Sequence, residues 1–78
     1  MEEYILFTEE GAENLELKYA PGKTHTFRDE NGSVQNRRLQ EIEIEGKYYF
    51  FAHELEGKPT PLEIKNAIIR LNTKPIKK

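Results

Sequence analysis

The chain has 78 residues, of which 36% are apolar and 33% charged, with 12 Lys and Arg against 14 Asp and Glu. This length leaves room for one small domain over 1–78, because domains rarely fall below about 50 residues. The longest apolar run, 48–52, is far shorter than the roughly 20 residues of a membrane-spanning helix. The acidic Glu2 and Glu3 are unlike the basic start of a secretory signal, so we expect no signal and no membrane partner. The absence of Cys excludes disulfides and thiolate metal sites, and it fits a reducing cytoplasm.

Charge is unevenly distributed along the chain, despite a net charge of only −2. Residues 1–16 carry six acids and no base, whereas residues 57–78 carry six bases and one acid, Glu63. A nucleic-acid-binding domain is usually strongly basic, and this chain is not. Both ends are therefore predicted to be solvated surface, although a local basic patch could still contact phosphate.

Turn-forming residues recur at intervals of about 8–12 residues, which is typical of short antiparallel strands. The segments between them are rich in β-forming residues or alternate strictly between apolar and polar side chains, as at 15–19. The five predicted strands cover residues 3–8, 14–20, 24–29, 34–45 and 48–55.

Three dipeptides predict the turns between the later strands. Pro21-Gly22 suits a type II turn, because Pro fixes φ and Gly accepts a positive φ. Asn31-Gly32 suits the type I′ turn of a two-residue hairpin loop. A second tight turn is predicted at Gly46-Lys47.

The apolar faces of these strands are expected to meet in one core. The register that achieves this needs a three-residue loop or a bulge near Pro21-Gly22, because a strict two-residue loop would turn the second strand's apolar face away. The expected members of this core are Leu15, Leu17, Tyr19, Phe27, Ile42 and Ile44.

The last element is a helix over 61–72, followed by a tail over 73–78. Thr60 is the predicted N-cap, Pro61 takes the first helical position, and Glu63 completes a capping box. We therefore predict an α+β domain, an antiparallel meander of about five strands with the C-terminal helix packed on one face.

Apolar residues lie on two sides of the predicted helix. One stripe follows the i, i+3, i+4, i+7 pattern and is expected to face the core. Leu62 and Ile69 lie nearly opposite this stripe, where a helix covered on one side would not need them. They indicate either a sandwiched helix or a surface for a partner. The core-facing stripe consists of Ile64, Ala67, Ile68 and Leu71.

No group of residues in the sequence has the spacing of a catalytic or cofactor site. Ser33 and Asp29 flank the predicted Asn31-Gly32 turn, where such side chains usually bond to the backbone. The five Gly are too widely spaced for a phosphate-binding loop. We therefore expect no catalytic residue and no cofactor.

The two His do not form a metal site in the predicted sheet. Two-residue loops would place His25 opposite Arg38 and His53 opposite Gln40, on one face but roughly 11–12 Å apart by strand geometry. Zinc binds its nitrogen ligands at about 2 Å, so we expect no metal.

These exclusions favour a non-enzymatic protein-interaction or regulatory module of unknown target. Its partner would be another protein or a second copy, bound through Leu62 and Ile69 or through a sheet edge. The alternative is a nucleic-acid-binding accessory protein that uses exposed strand aromatics and local basic residues. The candidate surface for that alternative consists of Arg28, Arg37, Arg38, Lys47, Tyr48 and Phe50.

Overall fold

A computed structural model of the chain describes residues 2–19 and 21–76. Within these ranges six strands precede one α-helix, which confirms the α+β class and the C-terminal helix. Two short 3₁₀ turns connect the second strand to the third. The elements are β1 (Glu3–Thr8), β2 (Gly11–Glu16), β3 (Thr24–Arg28), β4 (Val34–Arg38), β5 (Gln40–Ile44), β6 (Lys47–His53) and α1 (Pro61–Leu71).

The strands form a four-stranded sheet in the order β2-β1-β6-β5 and a separate β3-β4 hairpin. β1 runs parallel to β6, with Tyr4 opposite Phe50, while the other pairs are antiparallel. The prediction of a purely antiparallel meander is therefore wrong at the centre of the sheet. The two central strands are also the most apolar ones, and parallel pairing is usual where both faces are buried.

Two clusters of apolar side chains pack on opposite faces of the sheet. The helix-side cluster lies between the sheet and α1, and the hairpin-side cluster lies on the other face, where β3 and Leu39 meet the sheet. The buried members of the helix-side cluster are Ile5, Phe51, Ile64 and Ala67. The buried members of the hairpin-side cluster are Tyr4, Leu6, Leu39, Phe50 and Ala52.

The second strand differs from its prediction in position and in partner. β2 ends at Glu16 and pairs with β1, so that Leu15 lies opposite Tyr4. The loop around Pro21-Gly22 therefore does not set its register.

The predicted common core is divided between the two faces of the sheet. Leu15 and Leu17 pack against the hairpin-side cluster, whereas Ile42 packs against the helix-side cluster. Phe27 stacks on His25 with ring centroids 5.8 Å apart. The side chain of Tyr19 lies outside the part of the chain that the structure describes.

The single strand predicted over 34–45 is two strands in different sheets. The chain breaks at Leu39, which is 8% exposed and whose N–H donates to Lys23 O at 2.8 Å. β4 belongs to the hairpin and β5 to the main sheet, so the segment passes from one layer to the next. The strand predicted over 48–55 begins at Lys47 and ends at His53.

The β5-β6 hairpin loop is displaced by one residue from its prediction. Ile44 lies opposite Lys47, so the β5-β6 loop is Glu45-Gly46, with φ of 52° and 83°. These positive angles at both positions are those of a type I′ turn. The predicted loop at Gly46-Lys47 is therefore wrong.

The β3-β4 loop is longer than the predicted Asn31-Gly32 turn. Asp29 N–H donates to Ser33 O, and Gly32 has a φ of 81°, whereas Asn31 does not have a positive φ. The Asp29 carboxylate accepts from the backbone N–H of both Asn31 and Ser33 and from the Gln35 amide. These hydrogen bonds, that from Gln35 foremost, lower the pKa of Asp29. The longer loop shifts the pairing of β3 with β4 by one residue, so that Thr24 lies opposite Arg38.

The tail after α1 closes on the start of the chain. Thr73 is 6% exposed, and its hydroxyl donates to the Asn14 side-chain oxygen at 3.0 Å. Lys74 N–H donates to the Glu3 carboxylate at 3.0 Å, which lowers the pKa of Glu3. Ile76 N–H donates to Tyr48 O at 2.7 Å. The last part of the predicted tail, 77–78, lies outside the described residues.

The predicted helix start is confirmed. The Thr60 hydroxyl accepts from Glu63 N–H at 3.2 Å, and the Glu63 carboxylate accepts from Thr60 N–H at 3.2 Å. The helix ends at Leu71, and the C-cap Asn72 has a left-handed φ of 54°.

Replacing Thr60→Ala removes the acceptor of the Glu63 amide and is expected to lower the free energy of unfolding by about 1 kcal/mol. Thr60→Ser, which keeps the hydroxyl, is the control and should retain most of the parent's stability. Urea unfolding followed by circular dichroism measures both. An Ala variant with the parent's unfolding midpoint would show that this cap does not stabilise the helix.

Candidate interaction surface

The outer face of α1 carries two exposed aliphatic side chains. Leu62 is 65% exposed and Ile69 is 69% exposed, whereas Ile64 and Ala67 on the opposite face are buried. The helix is thus covered on one side by the sheet, and the sandwiched arrangement is wrong for the isolated chain. Their separation of seven residues places Leu62 and Ile69 on one side of the helix, two turns apart. We call Leu62, Asn66 and Ile69 the outer stripe.

Charged residues flank the outer stripe on both sides. At about 100° per residue, Glu63 and Arg70 lie together on one flank and Lys65 lies on the other. Lys65 Nζ donates to Glu45 Oε1 at 2.8 Å, and this hydrogen bond lowers the pKa of Glu45. An Arg70 guanidinium N–H donates to Ala12 O at 3.3 Å.

A shallow groove of about 590 Å³ continues the outer stripe on the flank of Glu63 and Arg70. It lies between α1, the β1-β2 turn and the segment 55–59, and its apolar lining includes Phe7 and Ala12. Leu55, 38% exposed, also lines it. Apolar surface therefore extends beyond the helix itself.

Phe50, the central aromatic residue of the predicted nucleic-acid surface, lies in the core. It is 6% exposed, and Lys23 Nζ lies 5.1 Å from its ring centroid. A base cannot stack on a ring that is packed in this way. Tyr48 is half-buried in the same strand.

The basic residues predicted for that surface do not form one patch. Arg37 and Arg38 are adjacent in β4 and therefore point to opposite sides of the hairpin. Lys47 is exposed at the start of β6, on another element. Arg28 is exposed and donates to Gly32 O at 2.9 Å. These cations are close in sequence but do not form a cluster in the structure.

Carboxylates surround the most buried of these cations. Arg37 is half-buried, and its Nε is enclosed without a hydrogen-bond partner among the described residues. The groove of about 880 Å³ that it lines with Arg28 is also lined by acids, among them Glu9, Glu13 and Glu54. Such a groove repels phosphate.

His25 links the β3-β4 hairpin to the main sheet. Its Nε2–H donates to Glu54 Oε2 at 2.8 Å, and its Nδ1 lies 3.1 Å from the Tyr4 hydroxyl. A carboxylate can only accept, which assigns the Nε2 proton and leaves Nδ1 as acceptor for Tyr4 when the ring is neutral. Burial raises the pKa of Tyr4.

The registers predicted for the two His are wrong. His25 lies opposite Arg37 rather than Arg38, because of the longer hairpin loop, and Gln40 lies opposite Phe51 rather than His53. Residues 2–19 and 21–76 contain no group of three or more His, Cys, Asp or Glu placed to hold a metal ion. His25 therefore acts as a structural contact between layers.

Sequence reasoning did not find the His25 contact or the groove beside α1. Tyr4, His25 and Glu54 are far apart in the chain and belong to no local motif, so only the topology brings them together.

No protein-family model, curated protein or solved structure matches the chain. Within the described residues, no helix has the length and apolar character needed to cross a membrane.

His25→Leu is expected to lower the free energy of unfolding by about 1–3 kcal/mol, because the buried Tyr4 hydroxyl loses its acceptor. Tyr4→Phe removes that hydroxyl, so the double variant should be more stable than the sum of the two single losses predicts. Urea unfolding of the parent and the three variants gives the coupling. Strictly additive losses would contradict a direct Tyr4–His25 interaction.

Proposed function

We propose that the protein is a small non-enzymatic protein-interaction or regulatory module that contacts a protein partner through the outer stripe of α1. The observation that carries this proposal is the exposure of Leu62 and Ile69, at 65% and 69%, on a helix whose other face is buried. Burial of two such side chains against a partner contributes roughly 3–6 kcal/mol before association entropy is subtracted. The groove beside Glu63 and Arg70 would enlarge that contact.

The nucleic-acid alternative has weaker support. It depends on strand aromatics that bases can reach, and the Phe50 ring is packed in the hairpin-side cluster. It also depends on a basic patch, and the exposed cations are distributed over several elements. If the alternative holds, the protein will bind an oligonucleotide with an affinity that falls steeply as salt is raised.

Site-specific photo-crosslinking in the organism that encodes the protein tests the proposal. A photoreactive amino acid at position 62 or 69 is expected to give a covalent adduct with a protein partner, since both positions lie in the contact. The matched control is position 34, because Val34 is 54% exposed and lies on the hairpin instead. Adducts are resolved by denaturing electrophoresis and identified by mass spectrometry.

Adducts formed from positions 62 and 69 but not from position 34 would support the proposal. Adducts of equal yield from all three positions, or none from 62 and 69, would refute the outer stripe as the contact. The mass of the adduct also separates a second copy of the chain from a different protein.

A further inference from the structure

We infer that the partner of the outer stripe is a second copy of this chain, bound so that the two α1 helices pack antiparallel about a two-fold axis. This inference rests on the proposed function and names the partner. It follows from the arrangement of apolar and charged side chains along the helix, which is complementary to itself.

The apolar part of the stripe suits a two-fold contact. In such a contact the same surface meets itself, so residue i contacts residue j and j contacts i. Leu62 lies near the start of α1 and Ile69 near its end, with Asn66 between them. When the two helices run antiparallel, Leu62 of each copy packs on Ile69 of the other.

The charged flank has the same symmetry. Glu63 and Arg70 are also seven residues apart and lie on the same side of the stripe. A two-fold axis perpendicular to an antiparallel helix pair brings equivalent flanks together with opposite chain directions. Glu63 of each copy therefore meets Arg70 of the other, which gives two attractive pairs instead of two repulsive ones.

Both residues keep atoms free for this pairing within the contacts that the monomer shows. Glu63 uses Oε1 for the Thr60 amide, and a carboxylate has a second oxygen. Arg70 uses one N–H for Ala12 O, and a guanidinium has five.

The remaining groups near the axis tolerate the pairing. Lys65 lies on the other flank and would approach its counterpart, but the Glu45 carboxylate of the same chain, 2.8 Å from Nζ, offsets its charge. Asn66 lies close to the axis, where a side-chain amide can both donate to and accept from an identical amide.

The contact is small, which determines how strong the dimer can be. Stable interfaces bury about 800 Å² per partner, and one face of an 11-residue helix supplies less than that. A dissociation constant on the order of 0.1–1 mM is therefore expected. Dimerisation at that strength would depend on local concentration.

A mixing experiment with charge-reversal variants tests the pairing. Arg70→Glu places acids at both flank positions, and Glu63→Lys places bases at both, so each variant alone should self-associate about tenfold more weakly than the parent. Mixing the two restores both attractive pairs and should recover the parent's affinity. NMR titration of one isotope-labelled variant with the other, unlabelled, reports the shifts of the α1 amides.

The controls separate pairing from loss of structure. Glu63→Lys weakens the capping box, but this loss is the same in the mixture as alone, and circular dichroism confirms that each variant is folded. The matched control pair is Arg38→Glu with Glu43→Lys, exposed residues of the hairpin and β5, for which mixing should give no gain.

Two results would overturn the inference. A parent that remains monomeric at millimolar concentration would exclude a second copy as the partner. In that case the proposed function would still hold if position 62 gives a photo-adduct with another protein. Self-association without recovery on mixing would exclude the antiparallel two-fold arrangement.

Discussion

β1 and β6 pair in parallel at the centre of the sheet, and both faces of this pair are covered by other parts of the chain. On one face Ile5 and Phe51 are at most 1% exposed beneath the helix. On the other face Tyr4 and Phe50 are at most 6% exposed beneath the hairpin. A chain of this size buries only about 60% of its unfolded surface. One layer on each face of the β1-β6 pair buries the side chains on both sides of these two strands.

The need to cover both faces determines the roles of the remaining elements. The helix presents Ile64 and Ala67 to one face, and the hairpin is held to the other by His25 between Tyr4 and Glu54. The outer stripe of α1 packs against neither face of the sheet. Because Leu62 packs in neither apolar cluster, a partner could contact it without displacing any core side chain.

Local signals in the sequence predicted the helix well, and long-range pairing was not predictable from them. The capping box at Thr60 and the two stripes of α1 depend on residues within a few positions of each other. The parallel pairing of β1 with β6 joins residues 46 positions apart, such as Tyr4 and Phe50. Alternation of side chains does not identify a strand's neighbour.

Some errors had a signal in the sequence. The apolar positions Leu39 and Ile42 are an odd number of residues apart, which period-two alternation cannot place on one face of a continuous strand. The spacing indicates that this segment contributes to both faces of the sheet, since Leu39 lies in the hairpin-side cluster and Ile42 packs against the helix-side cluster. The positions of the hairpin loops were harder to predict. Glu45 has a positive φ, which is uncommon for a residue other than Gly, Asn or Asp. The Asp29 carboxylate accepts from two loop amides and so stabilises a longer loop than Asn31-Gly32 alone indicates.

Native-state hydrogen exchange tests the central role of the β1-β6 pair most directly. If the pair is the core on which both layers depend, the amides of Ile5, Leu6 and Phe51 will exchange most slowly, and together, through global unfolding. Amides of the β3-β4 hairpin, such as that of Phe27, will exchange faster through local opening. Exchange of the central amides as fast as those of the β3-β4 hairpin, or slowest exchange confined to β5 and β6 while the β1 amides exchange faster, would contradict the central role of the β1-β6 pair.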